Sequence, residues 1–265
     1  MPEAASGLSA LLASLVPLVP FFLLASLRVG AMLASLPAPL GTSSPAQVRV
    51  GLALAITLAV GIPMAETAPR LPLDVVILGV AALGEVLVGA VIGLTVRVTL
   101  AAADVAGNIA GLTMGQGFAQ TVDPTLGEQT VPLGRILAAV AVLLFFVLQG
   151  PHVLIASLAH TLRVAPVGRA FGAVVHAGLL DIGRDLLAQG LRIASPVVGT
   201  MFLVQLGMGL VARSAPRVQI FVLTFAVTNA VGALVLLSAA PSVVAALADA
   251  VGDLPQLLRR ALAGT

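Results

Sequence analysis

Uncharged apolar runs long enough to cross a lipid bilayer leave this 265-residue chain few folds to choose from. A spanning helix needs about 20 mostly apolar residues, and residues 4–27 alone hold 24 without an ionisable side chain. Further runs lie at residues 50–65, 75–96 (interrupted by Glu85), 136–162, 193–212 and 218–248. Six such segments, some short or broken by proline, predict an all-α integral membrane protein of broken helices and helical hairpins. No polar linker marks a boundary, so one domain over residues 1–265 is expected. Composition agrees. Charged residues are 9% of the chain against about 25% in soluble domains, too few to cover a surface facing water.

That balance excludes whole classes of function. Soluble enzymes and extracellular modules do not carry 59% hydrophobic residues. The net charge is only +2, with arginine and no lysine, which leaves no basic surface for nucleic acid. The absence of cysteine removes disulfides, thiolate zinc sites and thiol catalysis. The N-terminal run follows Glu3 rather than a basic segment and exceeds a signal core in length, so it reads as a retained first span.

Turn chemistry separates the segments. Pro37, Pro39 and Pro45 bracket the first connection, Pro63, Pro69 and Pro72 end the second segment, and Gly150-Pro151 divides the fourth. Arg163, Arg169, Arg184 and Arg192 precede the fifth segment while Arg213 and Arg217 follow it. A plain span there would carry basic loops on both sides of the membrane, against the usual asymmetry. Helices that do not cross as simple spans are therefore expected. Residues 179–193 place Asp181, Arg184, Asp185 and Arg192 on one face and Leu179, Ile182, Leu186 and Ile193 on the other, an amphipathic helix for an interface or a partner.

The most informative pattern runs from Glu85 to Gly115. On one helix, Glu85, Gly89, Gly93, Arg97, Asp104, Gly107, Asn108, Gly111 and Gly115 fall within about 140° of arc. Gly89 and Gly93, then Gly107 and Gly111, form a packing seam where another backbone can approach closely. By themselves they fit packing within one chain as well as a seam between subunits. Glu85, Arg97, Asp104 and Asn108 would be costly against lipid. They are expected to be buried against partners or to line water, which favours an oligomer seam or a hydrophilic path.

The loop that follows, Gly115, Gln116, Gly117, Phe118, Ala119, Gln120, Thr121, Val122, Asp123 and Pro124, mixes free backbone with apolar anchors. It suits either a surface turn or a segment folded back between helices, where irregular backbone is tolerated only with protein or water around it. Met114 and Phe118 flank the backbone freed by Gly115 and Gly117, and either core packing or a seal would suit them.

Taken together, Gly84-Glu85 to Gly93, Ala106-Gly107-Asn-Ile-Ala-Gly111, Met114-Gly-Gln-Gly-Phe-Ala119, Val122-Asp-Pro124, Gly127, Leu133-Gly134 and Phe-Phe-Val-Leu-Gln-Gly at 145–150 resemble the FliR family of flagellar export-gate proteins. That family is homologous to the SctT proteins of type III secretion. Ala215-Pro-Arg-Val-Gln-Ile-Phe221 is similar to the family's Ala-Pro-Gln-x-Asn-x-Phe stretch, with Arg217 and Gln219 as departures. Gln149-Gly-Pro-His152 expands the family's Asn-Gly-His. The resemblance implies a non-enzymatic subunit of a hetero-oligomeric gate for unfolded proteins, joined to FliP-like and FliQ-like subunits, with FlhB-like and FlhA-like proteins on the cytoplasmic side. It implies the bacterial inner membrane at the flagellar basal body, with no cofactor. It also implies that residues 115–124 are the plug that closes the channel at rest. An injectisome gate subunit of the SctT type is the alternative within the family.

Other chemistry is poorly supported by the residues. No Gly-Lys-Ser/Thr follows the glycines, and His152, His160 and His176 have no metal-site spacing. Ser195-Pro196 lacks a nucleophile-elbow context, and Arg135 suits an interfacial anchor. Residues 241–265 set Leu247, Val251, Leu254 and Leu258 among Asp249, Asp253, Arg259 and Arg260, as a short amphipathic tail. A small-solute transporter would call for an internal repeat, and none stands out. An intramembrane hydrolase would call for a base opposite a serine.

Overall fold

A computed structural model of the chain describes residues 18–37, 45–67, 74–116, 131–168, 179–214 and 220–262. Every regular element among them is helical. Helix α1, Val19–Ser35, begins with Pro20 in its first turn, where a missing N–H costs nothing. It ends at Leu36, extended at ψ 150° because Pro37 follows. Its buried face is Phe21, Leu24, Ala25, Arg28, Val29 and Met32, the three-and-four spacing of a helix against a core. Helix α2, Ala46–Gly61, follows Pro45 and passes into the 3₁₀ helix Ile62–Thr67 around Pro63.

Helix α3, Val75–Thr113, is 39 residues long, about 58 Å at 1.5 Å per residue. It starts earlier than the stripe required, because Asp74 caps it. The Asp74 carboxylate Oδ1 accepts from the N–H groups of Val76 and Ile77 at 2.8 and 3.3 Å. Helices α4, Pro132–Val147, and α5, Gly150–Val164, are broken at Leu148–Gln149, where Gln149 takes a left-handed φ of 56°.

Helix α6, Leu179–Ser214, runs on through Pro196. The amphipathic stretch 179–193 is therefore the first part of one long helix and not a separate element. Proline cannot donate to the carbonyl of Arg192 one turn back, and the Ser195 hydroxyl donates to that carbonyl instead, at 2.8 Å. Helix α7, Ile220–Gly252, contains Pro241, and α8, Leu254–Leu262, closes the described chain. Leu247 and Val251 of α7 and Leu254 and Leu258 of α8 are buried, while Asp249, Asp253, Arg259 and Arg260 are exposed.

Packing divides the chain into two compact units. The first takes Met1–Arg97, Pro151–Ile182 and Leu254–Thr265, and the second Val98–Gly150 and Gly183–Asp253. In the first, Phe21, Leu24, Ala25, Ala81, Leu162 and Val167 form a buried cluster. In the second, α3 buries a row of small residues, Ala102, Ala103, Ala106 and Ala110, and α7 packs on α4.

Four helical stretches among the described residues are long and apolar enough to cross a membrane: Ala46–Ala65, Val75–Thr113, Leu187–Arg213 and Thr224–Gly252. The broken pair α4–α5 makes a fifth if it counts as one span. Their outer faces are strongly apolar. Leu203, Leu210 and Leu237 expose 67%, 71% and 71% of their surface, an arrangement suited to lipid or apolar neighbours and not to water. The chain is an all-α membrane protein.

Candidate functional site

Two constellations use the polar and small residues of α3, one in each unit. In the first, the spacing of Gly89 and Gly93 decides how close α1 can come. A Cβ at Gly89 would collide with the carbonyl oxygen of Arg28, and one at Gly93 with that of Met32. Backbone thus meets backbone, and the space these glycines leave is filled from within the chain. That approach brings Arg28 of α1 onto Glu85 of α3. Arg28 Nε donates to Glu85 Oε2 at 2.6 Å, with neither side chain exposed.

The remaining polar atoms of this pair are also used. Arg28 Nη1 donates to Thr161 Oγ1 at 3.3 Å, and Nη2 donates to the carbonyl of Ala165 at 3.0 Å. Glu85 Oε1 accepts from the N–H of Gly168 at 2.9 Å, and Thr161 passes its own proton to the carbonyl of Leu158. The guanidinium therefore sits at the C-terminal end of α5, where a helix favours positive charge. Three stretches of chain are tied by one ion pair, each of whose side-chain nitrogens and carboxylate oxygens has a partner.

The second constellation holds the two described ends, here called roots, on either side of residues 117–130. The outgoing root is the end of α3. Gly115, at φ 82°, turns the chain, its N–H bonding to Leu112 O and that of Gln116 to Gly111 O, each at 3.0 Å. This is the paired closure of a Schellman cap. It leaves the carbonyls of Thr113 and Met114 without a donor from their own helix. Gln205 Nε2 of α6 donates to Thr113 O at 3.0 Å. Asn229 Nδ2 of α7 donates to Met114 O at 3.2 Å, and the Thr228 hydroxyl lies 3.1 Å from the same oxygen. The Met114 side chain is buried against Gly232, where a Cβ would meet its Cγ at 2.6 Å.

The returning root is the start of α4. Asn108 Oδ1 accepts from the N–H of Val131 at 3.1 Å, while its Nδ2 donates to the Asp104 carbonyl and carboxylate at 2.8 and 3.0 Å. A Cβ at Gly107 would strike the Cα of Gly134 at 2.5 Å, and one at Gly111 would strike Val131. So Gly107 and Gly111 seat the first turn of α4. Pro132 stands there with no N–H to lose.

Glu85 is buried, Asp104 and Asn108 are half-buried, and Arg97 is exposed on α3. Gly115 and Gln116 belong to the outgoing root. Gly117, Phe118, Ala119, Gln120, Thr121, Val122, Asp123 and Pro124 lie outside the described residues, as does the stretch 215–219. Among the described residues no group of three or more metal-ligating side chains comes together. Sequence reasoning missed Arg28, Gln205, Thr228, Asn229 and Gly232. Arg28 carried a faint signal as the first ionisable residue after the opening run. The others look like ordinary members of apolar helices.

The chain matches the family described as bacterial export proteins, family 1, over residues 19–254, a span that takes in both units. It is 36% identical over 217 residues to the flagellar biosynthetic protein FliR of Escherichia coli strain K12, covering 78% of each chain. It is 27% identical over 228 residues to the protein of that name from Bacillus subtilis strain 168, covering 84% of this chain and 87% of the relative. Similarity extends to the Yop proteins translocation protein T of Yersinia pestis, at 30% over 156 residues, 57% of this chain and 59% of the relative.

Proposed function

The chain belongs to the bacterial export proteins, family 1, and from that premise we propose how it works as a subunit of a type III protein-export gate. The flagellar system is favoured over the injectisome, because the flagellar relative aligns over 78% of this chain and the Yop protein over 57%. The subunit helps to form the membrane channel for unfolded flagellar proteins and carries the segment that closes it. Export is driven by other components, and this polypeptide performs no chemistry on its cargo.

The observation that carries the closing role is the pair of fixed roots. Helix α3 holds the residues on either side of 117–130, Gln116 and Val131, through Gly107, Asn108, Gly111 and Gly115. Residues 115–124 then act as a plug whose body is displaced while the root at Gly115 and Gln116 and the start of α4 at Val131 stay in place. Opening is a two-state event in which substrate competes with the packed loop.

The partners we assign are FliP-like and FliQ-like subunits in the membrane, with FlhB-like and FlhA-like proteins at the cytoplasmic side of the bacterial inner membrane, at the flagellar basal body. The exposed apolar faces of α6 and α7 and the exposed Arg97 in an apolar helix support such an assembly. A lone arginine is costly against hydrocarbon and is stabilised by a protein neighbour or water. Removing the gene tests the assignment. Flagellar protein export and motility are lost in the flagellar reading, while secretion by a separate needle system continues. The opposite pattern assigns the chain to the injectisome.

A further inference from the structure

We propose that Gln205, Thr228 and Asn229 are positioning residues for the plug: they fix the root from which it leaves α3. The proposal rests on the closing role given to residues 115–124 and names what holds that segment in register. The carbonyl groups at the end of α3 are almost all taken within the helix itself. Ala110 O accepts from Met114 N–H, Gly111 O from Gln116 N–H and Leu112 O from Gly115 N–H. Thr113 O and Met114 O are the two left over. In an apolar protein an unpaired carbonyl is expensive, and each of these is taken by side chains from other helices, α6 for the first and α7 for the second.

Donor chemistry distinguishes the three. Asn229 has two N–H bonds to give and uses one on Met114 O and the other on Phe225 O of its own helix, at 2.9 Å. Thr228 has one proton, within reach of both Met114 O and Thr224 O, so its hydroxyl shares the task. Gly232, one turn further along α7, admits Met114. Phe225, Thr228, Asn229 and Gly232 thus form one docking face for the last turn of α3. A cavity of about 280 Å³ adjoins it, lined by Thr113, Gly115, Gln205 and Phe225 among others. The root therefore has room to shift when its hydrogen bonds are lost, and the side-chain anchors decide that it does not.

The absence of cysteine makes a clean test possible. Gln116→Cys, carrying a nitroxide label, reports mobility at the root in the gate assembled with its partner subunits, and ion leak through the same gate is measured alongside. In the parent the label is immobilised and the gate is closed. In Thr228→Val/Asn229→Leu, label mobility rises several-fold and leak rises with assembly intact, while Thr228→Ser, which keeps the hydroxyl, behaves as the parent. Gln205→Leu, at the neighbouring carbonyl, gives a smaller effect of the same sign. Unchanged mobility in the double variant overturns the proposal, as does raised mobility without leak in a gate that does leak when residues 115–123 are deleted. Raised mobility in the double variant, together with no leak from that deletion, upholds the anchor and overturns the closing role. Should the double variant fail to assemble, Gln205→Leu and Asn229→Asp carry the same two readings, and parent-like mobility in both overturns the proposal.

Discussion

Arg28 and Glu85, 57 positions apart in sequence, share a 2.6 Å ion pair from which water is excluded. The pair exists because Gly89 and Gly93 bring the backbones of α1 and α3 into contact, and it ties both helices to the end of α5 through Thr161, Ala165 and Gly168. Breaking such a pair on one side leaves a buried charge alone, at a cost of about 3–5 kcal/mol, whereas replacing both partners by apolar residues is often close to neutral.

Arg28→Met is therefore expected to destabilise the protein by about 3–5 kcal/mol, and Arg28→Met/Glu85→Leu to recover a large part of that loss. The exchange Arg28→Glu/Glu85→Arg should not recover, since the carbonyl of Ala165 and the N–H of Gly168 then face the wrong partners. Thermal unfolding in detergent, or the amount of protein retained in cells, reads the series. A double apolar variant as unstable as the single one would contradict this account.

Gly89→Ala and Gly93→Ala are expected to weaken the chain itself, by about 1–3 kcal/mol each, as overpacking of a close contact does. The check is the abundance and unfolding temperature of the chain expressed without its partners. Full stability alone with failed assembly would place these glycines against another subunit instead.

Gly134→Ala is expected to loosen the returning root. Its Cβ would come within 2.7 Å of Asn108 Nδ2 and 2.9 Å of Asp104 Oδ1, so the Asn108 bond to Val131 must lengthen or break. Losing such a helix-start bond typically costs about 1 kcal/mol. Hydrogen exchange at the start of α4 should speed up several-fold while α1 is unaffected. Unchanged exchange there would show that the contact is not limiting.

Ser195→Ala is expected to leave export essentially intact. The hydroxyl serves the carbonyl of Arg192 that Pro196 strands, a role worth on the order of 1 kcal/mol. Secretion of flagellar protein by cells carrying the variant measures this. Abolished secretion from a fully assembled gate would make the serine a reacting group and revive a hydrolytic reading.

Much of the fold was legible because lipid imposes simple rules. Long uncharged runs gave helices, the prolines at 37, 45 and 132 gave their boundaries, and the ordered motifs from Gly84 to Phe221 gave the family. Glu85 stood out as an ionisable group in an apolar run, yet its partner did not, since a single arginine 57 positions away has no periodic relation to it. Glycine spacing marked α3 as a surface for close approach without saying what approaches. The answer depends on where α1 and the start of α4 dock, which is a tertiary fact. Thr228 and Asn229 were illegible for a related reason. Each also bonds to its own helix, at Thr224 and Phe225, so nothing in the local pattern sets them apart from routine polar residues in a membrane helix.

In the proposed gate, α3 presents a segment that seals the export channel. The decisive measurement is the conductance of the gate, reconstituted in a planar bilayer with this chain complete or lacking residues 115–123. A tight gate is expected with the complete chain, and persistent ion current from an equally well-assembled gate after the deletion. Identical low conductance from both gates would contradict the sealing role.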